Sequence, residues 1–138
     1  MRRKTKRGIS KHLPRKASEI SEKLFKKTKT IYLNTVRLDR ISFSVLQNSR
    51  REIKRIENVS YDININDEWI GIVRYDDHDG KGILHRHSRL SIERRDEVVE
   101  SLYWLTGDKN HHLTQICDEI REGYQNLKDK FLKNSGLD

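Results

Sequence analysis

The chain has little cysteine, little proline and no long apolar segment. Cys117 is the single cysteine and Pro14 the single proline among 138 residues, so an intramolecular disulfide and a cluster of thiolate metal ligands are both excluded. No apolar run approaches the ~20 residues that a helix needs to cross a bilayer. No apolar segment of the kind found in a secretory signal follows the basic N-terminus. These absences predict a cytoplasmic protein without a membrane partner.

Apolar residues are also scarce, and the positive charge is concentrated at one end. Hydrophobic residues make up 33% of the chain and charged residues 36%, so only part of the chain can join an apolar core. Residues 1–30 hold 12 Lys or Arg against two Glu, a net charge of +10, whereas residues 31–138 hold 17 basic and 19 acidic side chains, a net charge of −2. We therefore predict a basic N-terminal arm over residues 1–29, with a short helix at 16–27, and a single domain over residues 30–138.

The basic arm predicts contact with a polyanion. A block of like charge at a terminus usually stays solvated because it repels itself and buries little. Its cations gain affinity for nucleic acid by releasing condensed counterions. A solubilising tail is the simpler alternative. The arm residues predicted to bind nucleic acid are Arg2, Arg3, Lys4, Lys6 and Arg7.

The spacing of apolar residues changes along the chain from a period of two to a helical period. Between residues 30 and 90, large apolar side chains alternate with polar ones, which is typical of strands with one wet face. After residue 90, the spacing predicts one helix between Ser91 as N-cap and Gly107 as the stop, and a longer one capped by Asp108. The predicted fold is therefore α+β: an antiparallel meander of about four or five strands followed by two C-terminal helices.

The greatest density of reactive side chains lies between residues 74 and 87. Two predicted strands flank a glycine-containing turn in this segment, and this pattern predicts a β-hairpin. In 14 residues it contains three carboxylates, three histidines, two arginines, a lysine and a tyrosine. Groups that transfer protons and groups that bind phosphate would therefore share one rigid support, which makes this hairpin the first candidate for a reactive site.

The residue types in this hairpin suit RNA cleavage. His85 and His87 would lie on one face of their strand, about 7 Å apart. Cleavage needs a base for the 2′-hydroxyl, an acid for the leaving 5′-oxygen and cations for the added negative charge, and an imidazole titrates near neutral pH. The predicted catalytic residues are His85, His87, Lys81, Asp76 and Tyr75, and the predicted phosphate contacts in the hairpin are Arg74 and Arg86.

Two other interpretations of the hairpin stay open. His-x-His with Asp76, Asp77 and Asp79 nearby offers mixed nitrogen and oxygen metal ligands, although the basic residues between them argue against a dedicated cation site. The hairpin could also be a charged, solvated surface without chemistry. No cofactor or resident metal is predicted. Trp69 and Trp104 fit core or rim positions better than base-stacking ones.

The hairpin also resembles a known family. The run Asp76-Asp77-His78-Asp79-Gly80-Lys81-Gly82, followed by His85-Arg86-His87, is similar to the signature of TumE-type toxins and related small archaeal and bacterial proteins. The resemblance covers residues 59–90. The chain differs from the family pattern in having Asp77 where that pattern has asparagine, and in the longer spacing before His85.

The resemblance implies a growth-inhibiting toxin that acts on RNA and is neutralised by a helix-turn-helix antitoxin. Combined with the residue chemistry, it favours a metal-independent endoribonuclease with RNA and a cognate antitoxin as partners, and it leaves a homodimer open. The alternative from another class is a non-catalytic nucleic-acid-binding protein that uses the basic arm and the hairpin cations.

Overall fold

A computed structural model describes residues 22–77 and 83–137 of the chain. Within these ranges, six strands form one antiparallel sheet in which each strand pairs with the next along the chain, and one helix follows them. The α+β class and the meander order are therefore confirmed. No helix in the two described ranges is long and apolar enough to cross a membrane. The elements are β1 Phe25–Tyr32, β2 Asp39–Gln47, β3 Ile53–Ile65, β4 Glu68–Asp76, β5 His85–Arg89, β6 Glu97–Ser101 and α1 Lys109–Asn134.

The sheet has two chemically different faces. One face, called the helix face here because α1 lies on it, carries a row of cross-strand partners: Phe43, Val59, Tyr75, Arg86 and Glu100. The opposite face, called the polar face, carries the neighbouring row: Thr30, Ser42, Ser60, Arg74, His87 and Val99. Because side chains alternate along a strand, these two rows fix which residues can meet.

The apolar core lies between the helix face and α1. Along β2, the alternate residues Ile41, Phe43 and Val45 are buried, as the period of two predicts. Asp108 caps α1 by accepting a hydrogen bond from the His111 N–H at 3.0 Å, which confirms the predicted start of the longer helix. The buried residues of this helix are Ile116, Cys117, Ile120 and Phe131.

A β-bulge in β4 changes which of its residues share a face. Tyr61 pairs with Val73 but Asp62 pairs with Gly71, so Ile72 is an extra residue on β4. Ile72 and Val73 are both buried as a result. The extra residue also resets the alternation, so that Trp69 and Gly71 lie on the polar face together with Arg74 and Asp76.

Two features of the predicted fold are wrong. The sheet has six strands, not four or five, and one helix follows it, not two. The segment predicted as the first helix supplies β6, whose β-branched Val98 and Val99 suit a strand. Ser91 does accept a hydrogen bond from the Arg94 N–H at 3.1 Å, as an N-cap would, but no helix follows it.

At the N-terminal end, β1 begins inside the segment predicted as the arm. Phe25 starts this strand, so the short helix predicted at 16–27 does not include residues 25–27. Residues 16–21 lie outside the described part of the chain. Lys26, Lys27 and Lys29 consequently belong to an edge strand of the sheet, and lysines on an edge strand discourage pairing with other chains.

Candidate functional site

The pairing of β4 with β5 divides the predicted site residues between the two faces of the sheet. Arg74 lies opposite His87, and Asp76 lies opposite His85, on the polar face. Tyr75 lies opposite Arg86 on the helix face. The hairpin pairing expected from the sequence is confirmed, and it means that Tyr75 and Arg86 do not face the two histidines.

On the polar face, four ionisable side chains form one hydrogen-bonded cluster. The Arg74 guanidinium binds both oxygens of Glu97, with Nη2 to Oε1 at 2.9 Å and Nε to Oε2 at 3.3 Å. Its Nη1 also donates to Asp76 Oδ2. His87 completes the cluster, because its Nε2 lies 3.3 Å from Asp76 Oδ1. We call Arg74, Asp76, His87 and Glu97 the polar-face cluster.

His87 and Asp76 are buried, so neighbouring side chains and not water surround the imidazole of His87. Their side chains are only 7% and 6% exposed. The second ring nitrogen of His87, Nδ1, lies 3.4 Å from Arg74 Nη2 and 3.5 Å from Glu97 Oε1. With a neutral imidazole, the four groups carry a net charge of −1, and one added proton makes them neutral.

His85 lies next to the polar-face cluster. It pairs directly with Asp76 across the two strands and is half-buried. Because His85 and His87 are two residues apart on β5, their side chains lie on the same face, as the sequence predicted. His85 is therefore the less enclosed residue of the two, although its own Nε2 atom is shielded from solvent.

A second network occupies the helix face behind the hairpin. Glu119 of α1 accepts hydrogen bonds at Oε1 from the Tyr75 hydroxyl at 2.6 Å and from Arg86 Nη1 at 2.5 Å. Arg86 also donates to Glu100 Oε1 from Nη2 at 3.0 Å. Burial and the hydrogen bond to Glu119 raise the pKa of Tyr75. Burial opposes the charge of Arg86, but its bonds to Glu100 and Glu119 outweigh that effect and raise its pKa.

These contacts give Tyr75 and Arg86 a structural role. Tyr75 stays protonated, and Arg86 stays charged and joins β5 to β6 and α1. Together with Lys130 and Asn126 they line a cavity of about 400 Å³ between α1 and the strands β4 to β6. Tyr75, which was predicted to be catalytic, and Arg86, which was predicted to contact phosphate, therefore lie on the opposite face of the sheet from the histidine pair.

Asp77, at the end of β4, is held by an ion pair. Its buried carboxylate lies 3.1 Å from Arg55 Nε. Among residues 22–77 and 83–137, no group of three or more His, Cys, Asp or Glu side chains is arranged to hold a metal ion. Several predicted site residues lie outside the described ranges: Arg2, Arg3, Lys4, Lys6, Arg7, His78, Asp79 and Lys81.

Sequence reasoning missed the two glutamates that organise these networks. Glu97 lies in the segment predicted as the first helix, and no role is predicted for Glu119. For Glu97, the available signal was its spacing from Glu100, since residues three apart on a strand point to opposite faces. Glu97 binds Arg74 on the polar face, and Glu100 binds Arg86 on the helix face.

Comparison with known proteins gives one family. A family model described as a domain of unknown function (DUF7718) matches residues 24–137. No curated protein and no solved structure matches the chain. The matched range includes the whole sheet, the whole of α1 and every residue of the two networks described above.

Proposed function

The chain belongs to the DUF7718 family, and from its polar-face site we propose that it acts on RNA in the cytoplasm as the toxin of a toxin–antitoxin pair. The proposed activity is metal-independent endoribonuclease cleavage. One observation carries it: Arg74, Asp76, His87 and Glu97 form a hydrogen-bonded cluster, in which Asp76 and His87 are buried, beside His85. A paired histidine and carboxylate next to a second, more accessible histidine is an arrangement suited to moving two protons.

In the proposed reaction, one imidazole takes the proton of a ribose 2′-hydroxyl. The 2′-oxygen attacks the adjacent phosphorus, and the bond from phosphorus to the 5′-oxygen breaks. A second imidazole gives a proton to that leaving oxygen, so the products are a 2′,3′-cyclic phosphate and a 5′-hydroxyl. His85 and His87 are the two proton-transfer groups, each in contact with a reacting oxygen of the RNA, and Asp76 orients His87.

Arg74 has a positioning role in this proposal. Its guanidinium is already bound by Asp76 and Glu97, so little of its charge remains for a phosphate. It holds the two carboxylates where they can orient His87. Phosphate binding is then left to Lys81 and to the arm cations Arg2, Arg3, Lys4, Lys6 and Arg7, whose affinity for RNA would fall steeply with salt.

The toxin part of the proposal rests on the resemblance of residues 76–87 to TumE-type toxins. It implies a cognate antitoxin, expected to be a helix-turn-helix protein encoded beside this chain. Expression of the chain alone should arrest growth, and co-expression with the neighbouring gene should restore it. Growth that is unaffected by the chain would contradict the toxin proposal without bearing on its RNA chemistry.

The activity itself is tested by incubating the full chain with total RNA in EDTA. We expect cleavage that survives EDTA and leaves 2′,3′-cyclic phosphate ends. His85→Ala and His87→Ala should each lower the cleavage rate at least 100-fold. His111→Ala is the matched control, since this histidine lies at the start of α1 with its side chain 71% exposed, and it should cleave like the wild type.

Asp76→Asn separates orientation from proton transfer. This change keeps a hydrogen-bonding side chain next to His87 but removes the negative charge, so we expect a lower cleavage rate and a shifted pH profile with unchanged RNA affinity. RNA that stays intact with EDTA and with added Mg²⁺ or Mn²⁺ would refute the nuclease proposal. Cleavage that requires a divalent ion would instead favour a metal-dependent nuclease.

Non-catalytic RNA binding is the second candidate, and the enclosure of His87 favours it. A histidine that is 7% exposed and bonded at both nitrogens is also what a purely structural cluster contains. In this case His85→Ala and His87→Ala should leave RNA affinity nearly unchanged, whereas loss of Lys and Arg side chains should weaken it and reduce its salt dependence.

A further inference from the structure

The polar face carries a second cluster at the other end of β4 from the histidines. Four side chains from three strands and a turn stack there. The Arg40 guanidinium lies 4.0 Å from the centre of the Trp69 ring, the Trp69 and Tyr32 rings lie 6.4 Å apart, and the Arg37 guanidinium lies 5.1 Å from the Tyr32 ring. We call Arg37, Tyr32, Trp69 and Arg40 the aromatic stack.

The charges of the aromatic stack are not balanced. Arg40 is neutralised by Asp62, whose Oδ2 lies 2.9 Å from Arg40 Nε. Arg37 sits in the exposed turn after β1 and forms no ion pair with any residue in the described ranges. Tyr32 is 44% exposed. The stack therefore presents a half-exposed tyrosine ring with a cation over it that no carboxylate in the described ranges neutralises, and a ring and a cation together can bind a base and its phosphate.

A continuous strip joins the stack to the histidine site. Because of the bulge at Ile72, Trp69 and Gly71 lie on the polar face in line with Arg74 and Asp76. Gly71 is exposed although its strand is inside the sheet, and a Cβ there would point toward Asp62 Oδ1 at 3.4 Å. The missing side chain leaves the backbone accessible between the two clusters. At about 3.3 Å per residue, the strip is roughly 20 Å long.

From this arrangement we infer that Tyr32 and Trp69 form a base-stacking subsite for single-stranded RNA that runs along β4 toward His85. The inference rests on the proposed function, because RNA is the substrate of that site, but it concerns binding alone. Stacking accepts any base, since every base has a π face. The subsite therefore gives affinity and register without requiring a particular sequence. Arg37 would contact the phosphate next to the stacked base.

The test measures the binding of a fluorescent oligo(U) to the full chain at a fixed salt concentration, with fluorescence anisotropy as the readout. Tyr32→Ala and Trp69→Ala should each raise Kd about 5- to 100-fold, whereas Tyr32→Phe should retain most of the affinity because it keeps the ring. Tyr103→Ala is the matched control, since Tyr103 is an exposed aromatic residue outside the stack at 80% exposure, and its Kd should equal that of the wild type.

Salt dependence distinguishes stacking from charge. Tyr32→Ala should leave the slope of log K against log salt unchanged, whereas Arg37→Ala should reduce it by about 0.7, the value for one phosphate contact on a single strand. Circular dichroism of each variant checks that the sheet is intact. If Trp69→Ala does not fold, Trp69→Leu replaces it, because leucine keeps a bulky apolar side chain but removes the aromatic ring. Equal Kd values for wild type, Tyr32→Ala and Trp69→Leu would refute the subsite.

The same variants separate this inference from the proposed activity. Oligo(U) binding that depends on Tyr32, in a protein that cleaves no RNA, would support the subsite and contradict the nuclease. Cleavage that depends on His85 but not on Tyr32 would support the nuclease and contradict the subsite. A wild-type protein that binds no oligo(U) at all would contradict the subsite directly.

Discussion

At the scale of single residues, Asp39 is the most deeply buried acidic side chain in the part of the chain that the structure describes. Its side chain is 1% exposed. It accepts hydrogen bonds from the Tyr61 hydroxyl and the Asn34 amide, both at 2.6 Å, and from Lys128 Nζ at 3.1 Å. Burial and the bond to Asp39 raise the pKa of Tyr61, which stays a donor. One carboxylate thus joins β2, β3, the turn after β1 and α1.

Removal of this carboxylate should destabilise the whole domain. Asp39→Ala leaves the Tyr61 hydroxyl and the Lys128 ammonium without their acceptor, so we expect a loss of about 3 kcal/mol in the free energy of unfolding. Urea denaturation followed by circular dichroism measures it. Asp118→Ala is the control, since its exposed ion pair with Arg121 at 3.7 Å should contribute less than about 0.5 kcal/mol. A similar midpoint for the two variants would contradict the role given to Asp39.

The partners of Asp39 show why the residue scale is the hardest to predict from a sequence. Tyr61 and Lys128 are 22 and 89 residues away. Neither spacing forms a local pattern, because both contacts depend on strand register and on the position at which α1 crosses the sheet. The face assignments of Arg74, Asp76, His85 and His87 were predictable, since a single hairpin determines them.

At the scale of elements, two glycines at and inside α1 should respond in opposite ways to alanine. Gly107, just before the cap, has φ of +80°, and a Cβ there would lie 2.9 Å from the His111 ring. Gly123 is inside the helix with no atom within 4 Å of such a Cβ. Alanine is strained in the first position and favours the helix in the second.

We expect Gly107→Ala to lower the free energy of unfolding by about 1–2 kcal/mol and Gly123→Ala to raise it by about 0.5–1 kcal/mol. Thermal melts of the two variants beside the wild type measure both effects, and the difference in sign makes each variant the control for the other. Two changes of the same sign would show that the start of α1 does not have the geometry described.

The elements also differ in how well the sequence predicts them. The helix α1 was predictable because its apolar residues follow one side and Asp108 caps it. The strand β6 was not, since all five of its residues are exposed and their pattern has no alternation of apolar and polar types. Pairing with β5, together with the arginine contacts of Glu97 and Glu100, holds it in the sheet. The bulge at Ile72 was not predicted, although Gly71 beside it is a local signal, since an isolated glycine within a strand often marks a bulge.

At the scale of the whole molecule, charge is separated along the chain. Residues 1–21 carry eight Lys or Arg and one Glu, whereas the domain that follows is close to neutral. If the arm binds phosphates as proposed, deletion of residues 1–21 should weaken RNA binding and reduce the slope of log K against log salt by up to about 6, since each contact contributes about 0.7. Anisotropy with oligo(U) at several salt concentrations measures this. An unchanged slope would assign the phosphate contacts to the sheet.

The order of the elements along the chain has a consequence for biosynthesis. Each strand pairs with the one before it, so the sheet can extend by one hairpin at a time while the chain emerges from the ribosome. The helix that covers its apolar face comes after all six strands, so Ile41, Val59 and Tyr61 stay uncovered until translation has passed α1. A nascent chain stalled before that point would expose this face, which makes it a target for chaperones and proteases.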